Sequence, residues 1–455
     1  MKKLSDKKIL TKGDVKTVLI KLTIPMIFGI FSMVIYNLAD TYFVGQLGKN
    51  QLAALSYTFP VILIISSLAQ GIGMGTSSVL SRAIGGGDDR LVKRLATDSL
   101  FLGLIIVILC VTIGELTIEP IFSLLGAKEN TLPYIKEYMR VWYLGMIFVV
   151  IPMVGNNIIR ATGDSKTPGM VMVIGALINI SLDPLFIFGL GPFPKLGITG
   201  AALATLIGRM VTFTVALYIL IHREKLILFK KPILKETLNS WKQILFVGLP
   251  NAGTKMIIPL GVGIITGIIS PFGTASVAAY GVASKIEFFA IATINALSSV
   301  IAPFMGQNWG AKLPKRVREG FKQGEIFSII NGIIISILLI IFSKPIAKAF
   351  NDDPLVIKNI TLYIKIVPFT YTLQGIYLIT TASLNALNKP IHASSLSILE
   401  MFIFCIPLAF ILSKSFGLIG VFTSISIAYI LTGLISHLAF KKILNKKIKA
   451  FKLTT

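Results

Sequence analysis

The sequence predicts an all-α polytopic membrane protein, with twelve transmembrane helices in two six-helix bundles related by a pseudo-two-fold axis. Three observations lead there. Hydrophobic residues fill 54% of the 455 positions and charged ones only 14%, whereas a soluble domain averages about 25% charged. The apolar residues gather into runs long enough to cross a hydrocarbon layer of about 30 Å. The first half of the chain also reappears in the second at a constant spacing. Backbone amides in lipid must be satisfied within their own segment, so long apolar runs read as helices.

Between polar punctuation the runs cover 18–45, 52–82, 96–124, 131–160, 168–190, 197–221, 243–269, 276–306, 321–350, 357–386, 393–413 and 417–440. Met1 to Val18 is lysine-rich and has no short apolar core before a small-residue cleavage site, so it reads as a cytoplasmic lead-in. With the N-terminus inside, the cytoplasmic gaps carry about 31 of the 44 Lys and Arg against about 8 outside. The net charge of +24 is thus a topology signal. No aromatic-interleaved basic domain of the kind that reads nucleic acid is present. A multi-pass protein of the cell membrane is expected, with both termini cytoplasmic, lipid as its solvent and no nucleic-acid partner.

The repeat is gapless over its best stretch. Pro25 to Lys93 lies over Pro250 to Arg318 at an offset of 225, pairing Pro25 with Pro250, Gly48 with Gly273 and Gly85 with Gly310. Tyr134-Ile-Lys136 then matches Tyr363-Ile-Lys365, and Pro168 matches Pro390. Each copy holds six spans, so both begin inside, as in parallel repeats related by an axis along the membrane normal. The expected layout is an N-terminal lobe at 1–221, a cytoplasmic linker at 222–242 and a C-terminal lobe with a basic tail at 243–455.

An ionisable side chain within a span is costly unless it is paired or functional. In the N-terminal lobe, Tyr36-Asn-Leu-Ala-Asp40 sets Tyr36 and Asn37 on the same helical face as Asp40. Asn179-Ile-Ser-Leu-Asp183-Pro184 repeats the device at four-residue spacing. Pro184 cannot donate to the carbonyl of Ile180, which frees a backbone oxygen beside two polar side chains. Asp40, Asp183, Tyr138 and Thr205 all fall in the outer halves of their spans, so the acids can meet there. The span limits put Asn156 in the inner half. In the C-terminal lobe the embedded charges are Lys255, Lys285, Glu287 and Glu400. Their opposite signs predict ion pairs and a structural role. Arg140 and Arg209, nearer span ends, are expected to snorkel.

Other chemistries find little footing. Cys110 and Cys405 are deep in apolar runs, and His222, His392 and His437 form no cluster, so no metal site is expected. Gly71-x-Gly73-x-Gly75 lies inside the second span, where small residues allow close helix packing. No Gly-x4-Gly-Lys-Ser/Thr occurs, so this polypeptide is not expected to hydrolyse ATP, and its energy is expected from an ion gradient or from a partner.

At Tyr36-Asn-Leu-Ala-Asp40 and Asn179-x-x-x-Asp183-Pro184 the sequence resembles the MATE family of multidrug and toxic compound extrusion transporters. Ile24-Pro-Met26, Gly75-Thr-Ser-Ser78, Arg160-Ala-Thr-Gly-Asp164 and Gly200-Ala-Ala202 add to the likeness, which runs from Leu19 to Phe440. The resemblance implies an antiporter, not an enzyme, that exports amphipathic, often cationic, drugs in exchange for inward H+ or Na+, with no cofactor. The first-span aspartate looks like that of the DinF-like branch. Carried over position by position, this gives Asp40, Asp183, Asn179, Tyr138 and Thr205 as the coupling site, with Tyr36, Asn37 and Asn156 as further members. The NorM-like branch has acids on its seventh and tenth spans, where this chain offers Lys255 and no acid. A monomer is expected. Two rivals are a flippase for lipid-linked or oligosaccharide cargo of the related superfamily, which usually has about fourteen spans, and an intramembrane enzyme with paired aspartates and Mg2+. The second would need clustered aspartates, and Asp40 and Asp183 are single.

Overall fold

A computed structural model describes residues 9–47, 49–124, 127, 131–229 and 233–452. Gly48, the first eight residues of the lead-in and residues 230–232 of the linker lie outside it. Among the described residues every regular element is helical. The membrane-length elements are α1 (Val15–Gly45), α2 (Lys49–Gly86), α3 (Asp89–Leu124), α4 in two pieces (Leu132–Leu144 and Ile147–Ala161), α5 (Lys166–Phe188) and α6 (Gly197–Tyr218). Next come α7 (Leu234–Ile269), α8 in two pieces (Thr274–Ala290 and Ala292–Gly310), α9 (Pro314–Ile341) and α10 in two pieces (Pro354–Ile366 and Tyr371–Ala386).

Among the described residues nine helical runs are long and apolar enough to cross a membrane, or eleven when the two bent pairs each count as one span. The last run, Pro390–Ala450, has 61 residues. At 1.5 Å per residue that is about 90 Å, far more than a bilayer core of about 30 Å. It breaks at Gly417, whose φ of 57° and ψ of −138° no helix contains. The break separates α11 (390–416) from α12 (418–452), which gives twelve segments among the described residues.

Three spans expected to be continuous are broken. The two halves of α4 meet at 45°, as do those of α8, and α10 is interrupted by a 3-10 turn at Pro368–Thr370. The carbonyls released at that turn are taken up by neighbours: Ser336 donates to that of Pro368 and Ser426 to that of Ile366 at 3.3 Å. Hydroxyls elsewhere return to their own helix, as Thr23 does to Leu19 at 2.7 Å and Thr112 to Ile108 at 2.8 Å. In lipid these bonds stand in for water.

Packing divides the chain into two compact units, one spanning Ile24–Ala252 and the other Ile9–Thr23 with Gly253–Thr455. The first unit therefore ends inside α7 and not in the linker. Thr237 donates to Asp98 at 3.1 Å, Trp241 to the Asp98 carbonyl at 2.9 Å, and Arg94 pairs with Glu236 at 2.8 Å. These bonds fasten the start of α7 to α3. The N-terminal segment joins the second unit because Asn308 donates to the Leu10 carbonyl at 3.0 Å and Arg316 to that of Gly13 at 2.8 Å. Leu10 and Val15 are both buried.

The glycines of the second span pack as expected. A Cβ on Gly71 would fall 2.7 Å from the Cβ of Ala252, and one on Gly75 would fall 3.0 Å from the amide of Gly248. A Gly71→Val side chain has no room there. The expected cost is about 1–3 kcal/mol or more from overpacking, read as a lower melting temperature in detergent. An unchanged transition would mean that α2 and α7 do not approach so closely.

Asp164 anchors the turn from α4 into α5. Its carboxylate accepts the Thr167 backbone N–H at 2.9 Å and the Thr167 hydroxyl at 2.5 Å, and pairs with Arg223. Burial pushes this carboxyl up, but the donors of Thr167 and Arg223 outweigh it, so it lies below its ordinary value. A depressed folded-state pKa stabilises above the unfolded value of about 3.9, and the contribution is lost as pH falls through the folded value. Arg223 is 45% exposed, so solvent screening limits the pair to about 1 kcal/mol. Asp164→Asn should melt lower than the parent at pH 7, and the gap should close below about pH 4. A gap that persists in acid would show that the charge is irrelevant.

Candidate functional site

The first unit gathers most of the residues singled out on its spans. Asp183 on α5 is fully buried, and Asn179, one turn earlier, is 3% exposed. With its amide nitrogen toward the acid, Asn179 donates to Asp183 Oδ2 at 3.0 Å and accepts from the hydroxyl and the amide of Thr205 on α6, both at 3.1 Å. One amide side chain thus ties α5 to α6 and supplies the acid with a donor. Asp40 on α1, Tyr36 one turn before it, and Tyr138 on the first piece of α4 are electrostatic neighbours of Asp183. The Oδ1 atoms of Asp40 and Asp183 are both buried without a hydrogen-bond partner. Such oxygens in low dielectric are places for a proton or a cation.

Beside the acids an open cleft lies within the first unit, and its walls include Tyr36, Asn156, Asn179, Thr205 and Arg209. Asn156, placed apart by the span limits, faces the same space as Asn179. Its Oδ1 has no partner. Asn37 is exposed and lies outside the cavity wall.

Arg209 is a neighbour of the site that sequence reasoning did not place there. Its guanidinium carbon sits 5.8 Å over the Tyr36 ring and the side chain lines the cleft. The signal was present in the stripe Thr205, Gly208, Arg209 and Thr212, whose spacing repeats one helical face.

The second unit contradicts the expected ion pairs. Among the described residues neither Lys255 nor Lys285 pairs with Glu287 or Glu400, and both lysines are exposed. Glu287 instead accepts from the hydroxyls of Tyr363 and Tyr429, the latter at 2.5 Å. Glu400 accepts from Gln374 at 3.2 Å. Phenol and amide donors meet a carboxylate without bringing a second charge that must also be desolvated. Among the described residues no group of three or more His, Cys, Asp and Glu could hold a metal ion.

The MatE family model matches the chain twice, over residues 25–185 and 250–411. The two matches start at the two prolines that open the internal repeat. This chain belongs to the MATE family of transporters. The MATE assignment makes it a membrane transporter and not an enzyme. A protein of Shewanella oneidensis named FAD transporter is 35% identical over 440 residues, covering 97% of each chain. The probable multidrug resistance protein YoeA of Bacillus subtilis is 27% identical over 409 residues and 88% of each chain. Among solved structures, the Vibrio cholerae MATE transporter VcmN in its bent form superposes with a TM-score of 0.89 at 29% identity, covering 95% of this chain and 97% of that one.

For a MATE transporter with this cluster, Asn179→Ala should be more harmful than its size suggests. It removes the donor to Asp183 and an acceptor for the Thr205 hydroxyl, and hydrogen bonds to charged groups are worth about 1.5–3 kcal/mol. Gradient-driven transport in vesicles should fall by about tenfold or more, at unchanged protein yield. Full activity would detach Asn179 from the site.

Proposed function

We propose that this chain is a secondary antiporter that exports cargo in exchange for inward H+ or Na+, by rocking of its two lobes around a central cavity, with both termini cytoplasmic. One observation carries the reading: two carboxylates, Asp40 and Asp183, lie in electrostatic reach of each other with a buried oxygen of each unpartnered. A coupling group must hold its ion on one side of the membrane and release it on the other. Two nearby acids in low dielectric share protons as a pair, and small changes in their environment move the affinity strongly. Asp40 is the coupling acid in this reading, and Asp183 with Asn179 tunes it. Protonating Asp40 removes repulsion with Asp183 and lets the two helices close together.

Two cargo classes have support. Amphipathic organic cations fit the multidrug relatives and the acidic cluster. A flavin dinucleotide fits the Shewanella oneidensis relative named FAD transporter. It also fits Lys255 and Lys285, whose charges no acid of the described residues neutralises. We favour the flavin dinucleotide, because those lysines offer unpaired positive charge to an anion and the 35% identity extends over 97% of the chain. The flippase alternative is weakened by twelve spans where such proteins have about fourteen.

Proteoliposomes decide among these. FAD and a cationic dye are each loaded, and pH and Na+ gradients are imposed separately. FAD should leave against its gradient under one of the two ions. Dye movement alone would restore the cationic reading, and movement of both without any gradient would end the antiport proposal. Asp40→Asn, which imitates the protonated acid, should abolish gradient-driven export while insertion survives. Export at the parental rate would show that Asp40 does not couple transport.

A further inference from the structure

We propose that Glu400 is a second proton-carrying site, lodged in the second unit and separate from the Asp40 cluster. Glu400 lies on a π-helical stretch of α11, Leu399–Cys405, and is 6% exposed. Single π-turns within helices often mark functional positions, because the extra residue turns a side chain into a space that an α-helix would not reach. Gln374, on the second piece of α10 and also 6% exposed, donates from Nε2 to Glu400 Oε1 at 3.2 Å. The other halves of both groups, Glu400 Oε2 and Gln374 Oε1, are buried without a partner.

Two bare oxygens on hydrogen-bonded partners are costly as they stand, because each acceptor has given up water for nothing. One proton resolves both. A neutral Glu400 carries O–H on Oε2, which can donate to the amide oxygen while the amide N–H donates to Oε1. Carboxylic acid and amide then close a cyclic pair with every polar atom used. An ionised Glu400 has only lone pairs to set against the amide oxygen.

Glu287 is provisioned the opposite way. Its two oxygens accept from Tyr363 and Tyr429, and two phenol donors suit the ionised form. The titratable groups in electrostatic reach of Glu400 are Glu287 on α8, Tyr377 on α10, Cys405 on its own helix and Tyr429 on α12. Among the described residues no ion pair involves either glutamate. One acid is built to be charged and its neighbour to be neutral, so the pair holds one proton. A change in the packing of α10 against α11 would release it.

Infrared difference spectroscopy of the reconstituted, full-length transporter tests this directly. As pH is stepped from about 5 to about 9, the range reached by buried glutamates, the parent should lose the carbonyl band of a protonated carboxyl. Glu400→Gln, which is isosteric, should remove one carboxyl's share of that change. Asp40→Asn should leave that share in place, so failure here and failure of the Asp40 reading are told apart. Glu287→Gln removes the like charge and should move the Glu400 midpoint down by about one unit, a tenfold loss of proton affinity. This shift decides the matter even if Glu400→Gln does not fold. An identical signal in Glu400→Gln overturns the proposal. So does a carboxyl band that persists at every pH, which would make Glu400 a permanently neutral packing group.

Discussion

No water reaches the middle of a bilayer, and each polar atom that folds there must find its partner in the protein itself. That constraint shapes every level of this chain. It makes the spans helical, and it sends threonine and serine hydroxyls back to the carbonyls one turn before them. It requires Ser336 and Ser426 to collect the carbonyls freed where α10 breaks. Without a hydrophobic drive between helices in lipid, close contact must come from shape, and so Gly71 and Gly75 admit the backbone of α7. The rule is left unmet at several buried side chains, and Asp40, Asp183 and Glu400 are among them, each an acid with one bare oxygen.

The two units answer the same electrostatic problem differently. The first places an amide, Asn179, between an acid and a hydroxyl, and brings the guanidinium of Arg209 over Tyr36. The second surrounds Glu287 with phenols and gives Glu400 a glutamine. Repetition of the backbone has therefore not been repetition of the chemistry. The two copies keep their prolines and turns, which fold demands. Their acids sit at unmatched positions, since 225 residues beyond Asp40 the chain has Ile265.

Much of this was legible in the residues because hydropathy and turn chemistry act locally. The twelve spans, the repeat, the packing role of Gly71-x-Gly73-x-Gly75 and the meeting of Asn179 with Asp183 and Thr205 all depend on spacing along one or two helices. What spacing could not supply was how helices bend and rotate. Asn156, beyond the bend of α4, and Arg209 on α6 both line the same cleft. In the second unit, opposite charges suggested ion pairs, yet tyrosines from α10 and α12 reached Glu287 instead. Tyr363 was visible only as a marker of the repeat, since a phenol in an apolar run does not announce its partner. The first unit's end at Ala252 was hidden for the same reason, because Trp241 and Thr237 reach α3 across a long sequence separation.

The clasp on the N-terminal segment bears on how the protein can be handled. Arg316 spends its guanidinium on the carbonyls of Leu10, Lys12 and Gly13 and on Asn308. A truncation that begins after Gly13 would strip a cation of most of its acceptors and uncover the apolar seat of Leu10. A fusion partner placed upstream of Ile9 keeps those carbonyls. Expression designs for this transporter should therefore treat residues 9–14 as part of the folded domain and put affinity tags before them.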